Sequence, residues 1–333
     1  MILSVSRNIS RKMNILGIET SCDETSASVV CDGRVVLSNV IATSLKDHQK
    51  FGGVIPEIAS RRQLEYINIV TAQALATAGV SLKEIDALAV TEAPGLIGSL
   101  VVGRSFAHSL AYAMGKPLIR INHIKAHVYA AYLVEKFEAQ RDVLAEFPLP
   151  AVGLVVSGGH SSLFFIKDFK SFRVFGQTRD DAAGEAYDKV ARILKLGYPG
   201  GPVIDRIAQT VTDNDLRFPC APMPGTNDFS FSGLKTAVLY YTQRNARSGF
   251  SVDKVAHAFQ ESVVNVLVRK TVEACLKKKA RSLVVGGGVA ANSTLRTRLV
   301  AHAAANGINT KFPALSLCMD NAAMVAGLAY HLR

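Results

Sequence analysis

The chain has 333 residues, more than one ordinary domain holds and suited to two of roughly 150 residues each. Apolar residues make up 49% and charged residues 20%, so a large core can form, and every apolar run is too short to span a bilayer. A net charge of +11, spread along the chain, favours a polyanionic partner whose phosphates are neutralised with release of counterions; a basic surface kept for solubility is the plainer alternative.

Residues 1–12 carry Arg7, Arg11 and Lys12 and no acid. They are shorter than a mitochondrial presequence, and Met13 directly precedes the first strand, so they read as an upstream start or a disordered arm outside the fold. Strands are expected at 14–19 and 26–31 around a polar turn, with a third at 34–41. A helix follows from about Pro56, then a buried strand (86–91), a helix (97–114), a strand (117–121) and a helix (123–135). The charged segment 136–149 ends in proline and marks the lobe boundary, dividing the chain into an N-terminal lobe (13–149) and a C-terminal lobe (150–333). The second half restarts the pattern with strands at 152–157, 161–166 and 172–178, and helices at 183–195 and 201–211. After a loop rich in Pro, Gly and Asp come a long helix (253–279), a strand (282–286), a Gly-rich turn, a helix (289–305), a short strand and a last helix (320–332). Strands alternating with helices predict an α/β protein with mainly parallel sheets covered on both faces.

The two halves are related. Setting residues 17–30 over 153–166 puts Gly17 on Gly153, Ser21 on Ser157 and Ser26 on Ser162, with apolar strand positions on apolar ones. Each turn offers small residues, free N–H groups and hydroxyls, the donors a phosphate needs from a hairpin. Two such turns across a cleft would grip a nucleotide from both sides. The run 283–292 adds three glycines between strand and helix, with Asn292 near the helix start and able to read a base or ribose edge. It lacks the GK[ST] of a P-loop and the spacing of GxGxxG, which excludes Walker-type and Rossmann sites.

His123 and His127 stand i, i+4 at a helix start, which puts both imidazoles on one face; the spacing fits a shared metal or an ordinary helix surface. A zincin would need a glutamate beside the first histidine, and Ile124, Lys125 and Ala126 stand there instead. Asp320 offers a third ligand or an N-cap, with Asp23 and Glu24 competing for the ligand role. Five cysteines (Cys22, Cys31, Cys220, Cys275, Cys318) form no CxxC pair, which argues for reduced thiols in a cytoplasmic protein.

Taken together, the strings GIETSCDETS (17–26), GGVIPEIASR (52–61), NHIKAH (122–127), VSGGH (156–160), DDAAGEAYDKVAR (180–192), FSFSGLKTA (229–237), GGGVAAN (286–292) and DNAAM (320–324) resemble the bacterial TsaD and archaeal and eukaryotic Kae-type family. The resemblance runs nearly the whole chain from Met13. It implies the actin-like ATPase fold shared with heat-shock chaperones, two duplicated βββαβα-type lobes around a nucleotide cleft. It implies a transferase that moves the threonylcarbamoyl group of threonylcarbamoyl-AMP to N6 of adenosine 37, in tRNAs reading codons that begin with A, releasing AMP. It further implies one divalent metal, Fe(2+) or Zn(2+), on His123, His127 and Asp320, and substrate contacts at Val155, Val156, Ser157, Gly158, Gly159, Asp188, Gly201, Asp205 and Asn292. The partners implied are tRNA, an actin-like paralogue and a small ATPase, with no membrane.

Two positions depart from the family pattern. Gln63 stands where many members carry a histidine, and Lys125 where many bacterial members carry an acid, which predicts more positive charge near the metal. Asp23 and Glu24 are the candidates for proton handling; a polar turn or support of the metal ligands is their plainer role. Asp188 would bind ribose hydroxyls, or else pair with Lys189 or Arg192. An actin-fold ATPase or kinase and a metallopeptidase are the rival functions.

Overall fold

The computed structural model describes residues 12–135, 148–221 and 223–333; the expected lobe-boundary segment and the first eleven residues lie largely or wholly outside them. In chain order the elements are β1 (Asn14–Glu19), β2 (Glu24–Cys31), β3 (Val35–Thr43), α1 (Leu45–Gln49), α2 (Pro56–Ala78), β4 (Ala87–Ala93), α3 (Ile97–Met114), β5 (Leu118–Asn122), α4 (His123–Tyr129) and β6 (Val134–Glu135). The second half holds β7 (Ala151–Val156), β8 (Ser161–Asp168), β9 (Ser171–Gln177), α5 (Ala183–Ile193), α6 (Gly200–Ala208), α7 (Ser232–Arg244), α8 (Val252–Lys278), β10 (Ser282–Gly286), α9 (Ser293–Ala304), β11 (Asn309–Lys311) and α10 (Ala322–Ala329).

Two sheets run β5-β4-β1-β2-β3-β6 and β11-β10-β7-β8-β9, so the first five positions of one repeat the order of the other. The hairpins repeat in register as well. Gly17 faces Ser28 as Gly153 faces Phe164, and Glu19 faces Ser26 as Val155 faces Ser162. The internal alignment of the two sequence segments is therefore the alignment of their strand pairs.

β1, β2 and β7 are buried along nearly their whole length because helices cover both faces of each sheet. α2 and α3 cover the outer face of the first sheet, and each ends on a left-handed glycine, Gly79 or Gly115. On the other side of the molecule α5, α8 and α9 pack over the second sheet. Between the sheets lie α4 and α10, in one core that takes Ile15, Val30 and Ala89 from the first sheet and Val155, Ile166 and Val284 from the second. The final helix therefore packs on β1, β2 and β4 of the first half, whereas α4 packs on β7 and β10 of the second.

Four elements differ from expectation. The helix expected over 123–135 stops at Tyr129, passes through one tight turn and continues as β6, which pairs with β3. Its apolar run from Val128 to Val134 is buried throughout, and a fully buried run carries no helix-specific periodicity. α7 sits in the stretch read as loop: its buried Leu234 and Val238 are spaced i, i+4, but the flanking Pro and Gly residues obscured them. α1 is five residues long, four of them polar, and buries only His48. The last helix begins at Ala322, not 320, because the N-cap is Asn321, whose side chain accepts from Met324 N–H.

Candidate metal centre and nucleotide cleft

α4 opens on Asn122, whose side chain accepts from Lys125 N–H, and this start presents His123 and His127 one turn apart. Neither lies on an open surface: His123 is 6% exposed and His127 fully buried, their rings 4.6 Å apart and nearly perpendicular. Asp320 arrives from the far end of the chain at the start of α10. Because Asn321 takes the cap, the Asp320 carboxylate is left to face the imidazoles, at 3.0 Å from His127 Nε2 and 3.6 Å from His123 Nε2. Ligand atoms of the three residues lie within 4.8 Å of one another.

Glycines make the convergence sterically possible. A Cβ on Gly17 would sit 2.9 Å from Ala326 Cβ and closer to the Ala322 carbonyl, so β1 admits α10 only without a side chain there. A Cβ on Gly286 would meet the backbone carbonyl of His127, so β10 admits α4 on the same terms.

The electrostatics fit a cation. Burial opposes the Asp320 charge, but the two imidazoles outweigh it and hold the carboxyl well below its usual range. Burial likewise opposes the His123 imidazolium, yet Asp320 and Glu19 hold its pKa up to about 9. Two imidazole nitrogens and one carboxylate oxygen, all facing one another, form a donor set for a divalent transition metal.

Glu19 was not anticipated from the sequence. It is fully buried at the end of β1, with Oε2 3.0 Å from His123 Nδ1. Its signal was an acid at the inner end of the apolar run Ile15–Ile18, an expensive placement without a partner. Asp23, in the β1–β2 turn, and Glu24, the first residue of β2, stand outside the ligand set. The Glu24 carboxyl is pushed well above its usual range by burial, then by the charges of Asp320 and Asp23, and it is hydrogen-bonded with the Asp23 side chain. Gln63 is buried beneath that turn, donating to the carbonyls of Cys22 (2.9 Å), Glu24 (3.1 Å) and Thr20 (3.4 Å). Lys125 Nζ lies 5.6 Å from the centre of the Phe172 ring in β9.

The substrate candidates gather on the second lobe. Val155 and Val156 are fully buried in β7; Ser157 is half-buried, and Gly158 and Gly159 are exposed in the turn that follows. Nothing lies within 4 Å of a Cβ built on Gly158, Gly159 or Gly201, so these three border open space. His160 closes the same turn, its pKa lowered to about 4 by burial and then by His123 and His127. Asp188 pairs with neither Lys189 nor Arg192: it accepts from Gly200 N–H at 2.7 Å, and burial raises its pKa. Asp205 accepts from Ser293 N–H and Oγ, both at 3.0 Å, and from Gln260 Nε2 at 3.1 Å. Asn292 caps α9 through Leu295 N–H and donates to Gln260 Oε1 at 2.8 Å.

Residues 35–327 match the profile of the TsaD family, described as tRNA N6-adenosine threonylcarbamoyltransferase. The chain belongs to this family. A tRNA N6-adenosine threonylcarbamoyltransferase of Clostridium botulinum is 50% identical over 96% of this chain and 92% of its own length. One from Moorella thermoacetica is 48% identical over 98% and 93%. Among solved structures, HypF of T. kodakarensis superposes with TM-score 0.62 at 15% identity, over 96% of this chain and 47% of its own. A component of the 2-hydroxyglutaryl-CoA dehydratase of Acidaminococcus fermentans gives 0.54 at 13%, over 96% and 98%. The actin-like α/β fold expected from the sequence is thus the fold observed. No described helix is long and apolar enough to cross a membrane.

Proposed function

We propose that this TsaD-family transferase moves threonylcarbamoyl from threonylcarbamoyl-AMP to N6 of adenosine 37 in tRNA, in the cytoplasm. The observation that carries the reading is the meeting of His123, His127 and Asp320, together with a second-half turn, Gly158 and Gly159, that borders open space. N6 of the adenosine attacks the carbamoyl carbon, the bond to the AMP phosphate oxygen breaks, and AMP leaves. An aryl-type amine is a weak nucleophile, so positioning and stabilisation of developing negative charge carry the step.

The turn from Ser157 to Gly159 faces the phosphate, with Asp188, Gly201, Asp205 and Asn292 bordering the nucleoside end, and Val155 and Val156 form the buried floor. Much of the hydrogen-bonding capacity of Asp205 and Asn292 is already used, so their part is to hold the cleft wall in shape. Burial and the neighbouring carboxylates raise the Glu24 pKa, so an ionised Glu24 is the stronger base and takes up the N6 proton. His123, His127 and Asp320 would hold the metal, Zn(2+) or Fe(2+) by donor type, which supplies Lewis-acid polarisation of an oxygen. The chain's charge of +11 suits the tRNA backbone, and an actin-like paralogue and a small ATPase complete the assembly. Against a metallopeptidase, Lys125 and its neighbours offer no carboxylate between the histidines.

The test is one incubation with threonylcarbamoyl-AMP and unmodified tRNA, with and without the partner proteins. Modified adenosine with stoichiometric AMP is expected. His127→Ala should lose bound metal and transfer together, with its far-ultraviolet circular dichroism unchanged. Steady ATP hydrolysis without tRNA, or full transfer by His127→Ala, would overturn the reading.

A further inference from the structure

Glu19 has no exposure to solvent, and among the described residues its one ion pair is with His123. A buried carboxylate so placed is costly unless donors surround it. Three do. Oε1 accepts from Ser21 N–H at 2.5 Å, while Oε2 accepts from Thr91 Oγ at 2.6 Å and faces His123 Nδ1 at 3.0 Å. An ionised carboxylate only accepts, so Nδ1 carries the hydrogen, and the Nε2 that faces Asp320 is left to bind a cation. Ser21 Oγ, 3.1 Å from the same Nδ1, braces the ring from the adjoining turn. His127 differs, since its Nδ1 is buried without a partner among the described residues.

We infer that Glu19 is the positioning residue of the metal centre: it holds His123 in the orientation and tautomer that present Nε2, and it sets a second buried negative charge beside Asp320. The inference rests on the metal reading above and deepens it. Thr91 and Ser21 are the outer supports: Thr91 extends from β4 and Ser21 from the turn after β1, so three segments of the first lobe fix a ligand that rides on α4.

The test reads metal, not turnover. Zn(2+) is titrated into the metal-free full chain in competition with a chromophoric chelator. Glu19→Gln, nearly isosteric and uncharged, should lower Zn(2+) affinity about 10- to 100-fold, the range for removing an outer-shell carboxylate. Thr91→Val, which removes one support and leaves the charge, should give a smaller loss. In the Zn(2+)-loaded wild type, nitrogen-15 NMR should show a low-field, hydrogen-bonded Nδ1 proton at His123, whereas the His127 Nδ1 proton, with no acceptor among the described residues, should lie at higher field. A wild type that binds no Zn(2+), or binds it as His127→Ala does, overturns the metal reading and this inference together. Tight wild-type binding matched by Glu19→Gln overturns the inference alone. Should Glu19→Gln fail to fold, the wild-type spectrum decides, and a His123 without the low-field proton refutes the role.

Discussion

Alanine at position 286 would place its methyl 2.6 Å from the carbonyl carbon of His127 and nearer still to its oxygen. Non-bonded carbon atoms rest about 3.5 to 4.0 Å apart, so α4 would have to retreat from β10 by about 1 Å. Both contact partners are backbone within packed elements, and no flexible side chain is available to give way. Overpacking of this kind costs about 1–3 kcal/mol. The effect on the site should be larger in proportion, because ligand distances in a metal centre tolerate only about 0.2 Å and a misplacement of about 1 Å costs about 100-fold in rate. Gly286→Ala should therefore lower the urea midpoint of the metal-free protein, weaken Zn(2+) binding and slow single-turnover transfer about 100-fold. Gly233→Ala is the control: nothing lies within 4 Å of its Cβ, and inside α7 it should leave stability unchanged or raise it by up to about 1 kcal/mol. A Gly286→Ala protein with wild-type midpoint and wild-type Zn(2+) affinity would refute the claim that this contact seats His127.

Three further outcomes follow from the same geometry. Burial raises the Asp188 pKa, so the folded state binds that proton more tightly than the unfolded chain and the ionised form lowers stability as pH rises; Asp188→Asn keeps an acceptor for Gly200 N–H and should have the higher urea midpoint near pH 7, an advantage lost below about pH 4, and a lower midpoint near pH 7 would contradict this. Arg296 donates to the carbonyls of Ala290 (2.7 Å) and Pro313 (2.6 Å) over the Phe312 ring, in the segment that leads to Asp320. Arg296→Met should cost about 2–3 kcal/mol in urea unfolding and weaken Zn(2+) binding; unaltered Zn(2+) affinity would show that Asp320 is held independently. Lys125→Glu should weaken tRNA binding in filter assays and make its salt dependence shallower by about 1 in slope, and an unchanged affinity would move the tRNA surface elsewhere.

Much of the architecture was readable because it is local. The two hairpins announced themselves through alternating small and apolar residues, and their alignment carried over to strand register pair by pair. Reading failed where tertiary burial erased the periodic signal, as at the end of α4, or where Pro and Gly neighbours hid a short amphipathic helix, as at α7. Gln63, a departure by sequence, places its amide nitrogen among the carbonyls of Thr20, Cys22 and Glu24 beneath the β1–β2 connection, a role no local pattern could assign.

By itself the sequence determined the duplicated strand–turn–strand units, the start of α4 and the shared face of His123 and His127, since each depends on residues a few positions apart. Only the tertiary structure decided that Asp320 meets His127 across 193 residues of chain and that Glu19 is the acid which touches His123. The physical reason is close approach of backbones. α10 reaches β1 and α4 reaches β10 only where Gly17 and Gly286 leave no side chain in the way, and that fit belongs to pairs of elements rather than to any single stretch.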